Sequence, residues 1–277
     1  MGAPAVQIHS SGYAQHYRRT GVRGPETGRT RRRAARVTCA GDGWRDMGAR
    51  TFVVVGGTSG LGLAVARLLV DEHQVVVFGD VPAEVAAATG ELGCDGVVCD
   101  VSSYEQVRDG LAEVVERYGT IDGVAACASM WAGGDLGDLS VEHIRRAVEV
   151  NVLGITYLLR EAVRHLHRQG HGNVVYIGAL ALAAPRPGIP VYRATKSYGN
   201  SLVDSLAEAQ HSNRVKVMQL HPGPMPTRLQ ERVGAEFLDK VYAMPEQVAT
   251  EVVRLLLLEP DDLYVSGERV LRADGRW

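Results

Sequence analysis

Thr51-Phe52-Val53-Val54-Val55-Gly56-Gly57-Thr58-Ser59-Gly60-Leu61-Gly62 is the stretch whose reading decides the fold of this chain. A short run of β-branched and aromatic residues breaks into closely spaced glycines, and a helical pattern follows at once. Glycines at a strand-to-helix junction let the backbone come close to a pyrophosphate, while the helix N-terminus supplies unpaired N–H groups and positive dipole. A spaced glycine trio alone is a weak signal, because structural turns also use glycine. Its position at the first such junction makes it strong, and it predicts phosphate contacts at Gly56, Thr58, Ser59, Gly60, Leu61 and Gly62.

Outward from this junction, apolar runs alternate with helical patterns. Strands are expected at residues 51–55, 74–78, 96–99, 123–127, 173–177, 215–220 and 269–272. Helices are expected at residues 61–72, 104–118, 141–167, 192–211 and 245–258. The strands are near-continuous hydrophobic runs, as in a parallel sheet with helices on both faces. The expected fold class is α/β, a Rossmann-like doubly wound parallel sheet in a single domain over residues 48–277. The stretch 222–244, with Pro222, Pro224, Pro226 and Gly234, is a long connection without an assigned element. In such folds long connections past the strand ends close over the ligand.

The second strand ends in Asp80, about twenty residues past the glycine turn. A carboxylate there accepts hydrogen bonds from ribose hydroxyls and repels a 2′-phosphate, and no Arg or Lys stands in the turn or just after Asp80. The expected cofactor is therefore NAD; the alternative is that Asp80 merely caps the strand. Further on, Tyr192-Arg193-Ala194-Thr195-Lys196 opens a helix. Spacing by four puts the phenol and the ammonium on one helix face, where the cation lowers the tyrosine pKa and lets it exchange a proton near neutral pH.

The set Gly56-x3-Gly60-x-Gly62, Asp80, Asp100-Val101, Asn151, Tyr192-x3-Lys196 and Pro222-Gly223-x3-Thr227 resembles the short-chain dehydrogenases/reductases in order and spacing, over residues 49–277. The resemblance implies that Tyr192 is the general acid/base, that Lys196 also holds the nicotinamide ribose, and that Asn151 organises a proton-relay water. It implies adenine contacts at Asp100 and Val101, a cofactor contact at Ala128, and nicotinamide contacts at Pro222, Gly223, Met225 and Thr227. Asn151 bonding only to helix backbone, and Pro222-Gly223 as an ordinary turn, are the structural alternatives. A homodimer or homotetramer, built through the helices holding Asn151 and Tyr192, is also implied.

Two departures stand out. The family's serine, thirteen residues before the tyrosine, is here Ala179, preceded by Gly178. Loss of such a donor costs on the order of 10²–10³ in rate. The family's Asn-Asn-Ala-Gly after the fourth strand is here Ala126-Cys127-Ala128-Ser129; either the Ser129 hydroxyl stands in for the missing one, or the substrate is activated enough to need none, or the usual reaction is lost. Cys127 has no base beside it in the sequence and reads as a small buried hydrophobe. Two function classes follow. One is an NAD-dependent oxidoreductase moving a hydride between the nicotinamide and a secondary alcohol, ketone or imine. The other is an NAD-binding protein of this fold without redox turnover. Trp131, Leu182, Ile189, Met225, Leu229 and Phe237 fall in segments that surround substrates in the family, which implies a small, fairly apolar substrate.

The gross composition narrows the remaining classes. At 277 residues and 45% hydrophobic, the chain can bury a full core, and its longest apolar runs are far shorter than the roughly 20 residues of a bilayer span. The four cysteines have no metal-ligand spacing, His165, His167 and His171 fall at a solvated helix end, and no metal is expected. Without a signal-peptide pattern at its start, the chain is expected in the cytoplasm. Residues 1–46 hold nine arginines against three acids, a charge of +6, which leaves −8 on the rest of a chain of net −2. Nucleic acid and membrane surfaces bind such basic tails. The segment nevertheless lacks hydrophobic periodicity, so residues 1–47 are expected to be an extension without fixed structure, or to lie upstream of a start at Met47. Neither nucleic acid nor membrane is expected as a partner.

Overall fold

The computed structural model describes residues 36–37, 48–180, 187–210, 214–227, 229, 243–262 and 267–269. All of these fall in one compact unit, Ala34–Trp277. Strands β2 (Thr51–Val55), β3 (Gln74–Gly79), β4 (Asp95–Val98), β5 (Gly123–Ala126), β6 (Gly172–Ile177), β7 (Val215–His221) and β8 (Gly267–Arg269) form one parallel sheet in the order β4-β3-β2-β5-β6-β7-β8. In register, Val53 lies beside Val76 on one side and Val124 on the other. Chain order reverses between β2 and β5, so the crevice at their carboxyl ends is the switch point at which such sheets bind ligands.

Side-chain alternation divides the core between the two faces of the sheet. Val53, Val55, Val76 and Phe78 pack against α3 (Tyr104–Tyr118), α5 (Ile155–Gln169) and α6 (Pro190–Ala209). Phe52, Val54, Val75 and Val77 pack against α1 (Gly60–Leu69) and α7 (Pro245–Leu256). Strands buried on both faces account for the continuous apolar runs of the sequence. Doubly wound architecture is thus what the alternating pattern predicts.

Several elements depart from the sequence reading. Arg36–Val37, inside the segment expected to lack structure, forms strand β1 antiparallel to β4, where the sheet edge offers unpaired backbone groups. The rest of residues 1–47 lies outside the described residues. Helix α2 (Pro82–Leu92) carries no hydrophobic period that would signal it, because its Val-Ala-Ala-Ala-Thr-Gly interior makes no strong apolar stripe. Its start and stop were nonetheless signalled, by Pro82 in the first turn and by Gly93 at φ 67° past the end. The single helix expected at 141–167 is α4 (Val141–Val148), a π-helical turn at Glu149–Gly154 and α5. Gly154 closes that turn against Val101, whose Cγ2 would lie 2.9 Å from a Cβ at 154. The last strand ends at Arg269 within the described residues, and residues 270–272 lie outside them.

Candidate active site

At the switch point lies a cavity of about 580 Å³. Its walls contain Gly56, Thr58, Ser59, Gly60, Leu61 and Gly62 from the first junction, Asp80 from the end of β3, and Asp100 and Val101 from the end of β4. Ala128 follows β5, Tyr192 and Lys196 come from α6, and Pro222, Gly223, Met225 and Thr227 follow β7. Of the expected site residues, Asn151 alone stands behind the wall, 4% exposed.

The glycine turn is built by close approach. Gly56 has φ 77°, a left-handed value, and a Cβ there would lie 2.7 Å from the Ala128 nitrogen. A Cβ on Gly62 would lie 2.1 Å from the Gly56 carbonyl oxygen, so α1 starts directly against the turn. Gly60 faces Thr227, whose Cγ2 would be 3.1 Å from its Cβ, so the first and last motifs of the site meet across the cavity. Ser59 is the N-cap of α1 and makes no side-chain cap, leaving the first-turn N–H groups to face the cavity. The turn has no room for a Cβ at Gly56 or Gly62, and a pyrophosphate fits against the open first-turn N–H groups.

Asp80 is exposed where it borders the cavity, and the Thr58 hydroxyl, beside Gly79, donates to Glu84 at 3.4 Å. Asp100 is engaged within the protein: Oδ1 accepts from the Ser102 N–H and hydroxyl at 3.0 and 2.8 Å, and Oδ2 accepts from Arg146 at 2.8 Å. Partial burial works to raise this carboxyl, but the hydrogen bonds from Ser102 and Arg146 outweigh it and hold the pKa below its ordinary value. Arg146 therefore enters the cavity wall already paired, a role that nothing in the sequence signals because its partner is 46 positions away.

Around Tyr192 the arrangement is tight. Its ring lies 4.7 Å from that of Trp131, and Ala132, Ala147, Ala179 and Ile189 complete an apolar cluster. Lys196 Nζ donates to the Ile177 carbonyl at 2.9 Å and lies 5.2 Å from the centre of the Tyr176 ring. Burial pushes the Lys196 ammonium down to about 8, with Cys127 acting weakly the other way. Burial pushes Tyr192 up to about 12, opposed by a hydrogen bond with Ser129. The expected lowering of Tyr192 by the Lys196 charge is not found, and the shift runs upward: Nζ lies 6.0 Å from the centre of the phenol ring and is turned to a backbone carbonyl.

Asn151 sits in the π-helical turn and ties two elements together. Its Oδ1 accepts from the Met130 N–H at 2.7 Å and from Ser129 at 3.3 Å, and its Nδ2 donates to the Met130 carbonyl at 2.8 Å and to Thr195 Oγ1 at 3.1 Å. Thr195 in turn donates to the Tyr192 carbonyl at 2.8 Å. The loop after β5 and the second turn of α6 are therefore held by one amide. Cys127 lines the cavity with its thiol raised to about 12 by burial, which suits packing and not nucleophilic attack. Of the residues expected around substrate, Trp131, Ile189, Met225 and Leu229 border the cavity, while Leu182 and Phe237 lie outside the described residues.

Residues 50–237 match the family described as short chain dehydrogenase. The chain belongs to that family. This short-chain dehydrogenase is 26% identical over 234 residues to acetoacetyl-CoA reductase of Synechocystis sp., covering 82% of this chain and 95% of the relative. Among solved structures it resembles a short-chain type dehydrogenase/reductase from Mycobacterium ulcerans, with TM-score 0.72 and 26% identity over 79% of this chain and 87% of that one. It also resembles the closed form of serine dehydrogenase complexed with NADP+, with TM-score 0.75 and 22% identity over 82% and 96% of the two chains. No helix among the described residues of this dehydrogenase is long and apolar enough to cross a membrane.

Proposed function

We propose that this short-chain dehydrogenase is an NAD-dependent oxidoreductase acting on a secondary alcohol or ketone of a small, fairly apolar substrate, with Tyr192 as acid/base. The observation that carries the reading is the meeting of Tyr192, Lys196, the glycine cradle and the Pro222–Thr227 segment around one cavity. The cradle would hold the pyrophosphate, Asp80 the adenosine ribose, and Lys196 the second ribose. Bound there, the nicotinamide supplies or accepts the hydride. In reduction the Tyr192 hydroxyl gives its proton to the carbonyl oxygen and is left as phenolate; oxidation is the reverse step, in which the Tyr192 phenolate takes the alcohol proton. Trp131, Ile189 and Met225 keep water from the reacting atoms and favour an apolar substrate.

A panel of secondary alcohols with NAD should yield NADH absorbance, and Tyr192→Phe should lower kcat by on the order of 10²–10⁴ while cofactor affinity stays put. One observation favours a second reading, binding without redox turnover: Ala179, at the family's serine position, sits among apolar side chains with no donor of its own. Cofactor binding without an absorbance change across the panel would select that reading. Leu153 and Tyr198, exposed on the π-helical turn and on α6, are the surface for the proposed homodimer or homotetramer. Thiols at Cys99 and Cys127 suit a reducing cytoplasm.

A further inference from the structure

Two positions have exchanged their chemistry relative to the family pattern: serine gives way to Ala179 at the end of β6, and a glycine gives way to Ser129 after β5. The structure brings both to the cavity wall, one on each of two different elements near Tyr192. Ala179 belongs to the apolar cluster around the phenol and adds no polar atom. Ser129 is half-buried and donates to Asn151 Oδ1 at 3.3 Å; three residues on, the Ala132 carbonyl accepts from the Tyr192 N–H at 3.2 Å, which holds the loop carrying Ser129 against the start of α6.

Ser129 is also held in place independently of its own hydrogen bonds. Met130, the next residue, is gripped through its N–H and its carbonyl by Asn151, and the backbone of Ala128, the residue before, is wedged against Gly56. The bond from Ser129 to Asn151 is long at 3.3 Å, and Asn151 Oδ1 already receives the shorter Met130 donor at 2.7 Å. The serine proton is therefore free to turn toward a stronger acceptor, since a hydroxyl rotates at little cost.

We propose that Ser129 is a catalytic residue: it donates the second hydrogen bond to the substrate oxygen beside Tyr192, in place of the side chain missing at 179. The proposal rests on the hydride-transfer reading above. Ser129 gains and loses no proton in this role. It shares its proton with the oxygen on which negative charge develops, while proton transfer stays with Tyr192.

Four proteins test it: wild type, Ser129→Ala, Ala179→Ser and the double variant. Two readouts are taken, turnover of aryl secondary alcohols with NAD, and binding of 2-phenylpropan-2-ol in the presence of NAD by calorimetry. That tertiary alcohol offers the oxygen but no carbinol hydrogen, so it binds without reacting. Ser129→Ala should lower kcat by on the order of 10²–10³ and weaken the tertiary alcohol several-fold, with cofactor affinity unchanged. The double variant should recover much of both. Unchanged kcat in Ser129→Ala overturns the proposal and leaves the hydride-transfer reading standing. A fall in kcat that tracks lost cofactor affinity, with nothing restored by serine at 179, makes Ser129 structural and also overturns it. Should wild type turn over no alcohol, the hydride-transfer reading fails, and equal binding of the tertiary alcohol to wild type and Ser129→Ala overturns the role of Ser129 separately.

Discussion

Burial moves Tyr192 and Lys196 in opposite senses, toward about 12 and about 8, and in both cases toward the neutral form. For Lys196 this has a consequence in stability. Below pH 8 the ammonium is charged in the folded and unfolded chains alike, and the folded state bears the cost of its desolvation. Between pH 8 and about 10.4 the unfolded chain still binds the proton that the folded chain has released, so the contribution of Lys196 to stability rises with pH across that window. Lys196→Met should abolish this rise, and thermal melts of the two proteins between pH 7 and 10 check it; parallel curves would contradict it. Asp80 invites a second test at this scale. It stands exposed where it borders the cavity, and Asp80→Ser should weaken NAD and strengthen NADP, measured as the ratio of the two Kd values.

Two glycines one element apart illustrate what packing adds to propensity. Gly62 lies in α1 with its Cβ direction blocked by the Gly56 carbonyl at 2.1 Å, whereas Gly90 lies inside α2 with nothing within 4 Å. Gly62→Ala should push α1 off the turn, lowering the melting temperature and weakening cofactor binding. Gly90→Ala should instead stabilise by about 0.5–1 kcal/mol, because alanine loses less backbone entropy in a helix. Denaturant midpoints decide between these signs. The same contrast explains which elements the sequence revealed. α3 was legible to the residue, with Ser103 capping its start and Gly119 its end at φ 83°. α2 was not, because an alanine-rich helix lying across a sheet needs only small contacts and leaves no marked stripe. The π-helical turn at Glu149–Gly154 was hidden too, since it depends on the contact of Gly154 with Val101 and on hydrogen bonds that Asn151 makes to Met130 and Thr195.

At the scale of the molecule, one sheet carries every strand whose end borders the cavity, and the basic segment adds only Arg36–Val37 to its edge within the described residues. A chain starting at Met47 should keep its cooperative melt within a few degrees and its NAD affinity unchanged, as removing two edge residues leaves both core clusters intact. A loss of folding in that truncated chain would show that the segment is integral. By itself the sequence determined the alternation of strand and helix, the glycine turn, the carboxylate after the second strand and the Tyr192–Lys196 pair, because hydrophobic period and local turn chemistry are written in neighbouring residues. Only the tertiary structure decided that Thr227 meets Gly60, that Arg146 occupies Asp100, that Asn151 faces Met130 instead of the cavity, and that Tyr192 is buried against Trp131. Those are relations between residues tens to more than a hundred positions apart, and desolvation and close contact exist only once the chain has brought them together.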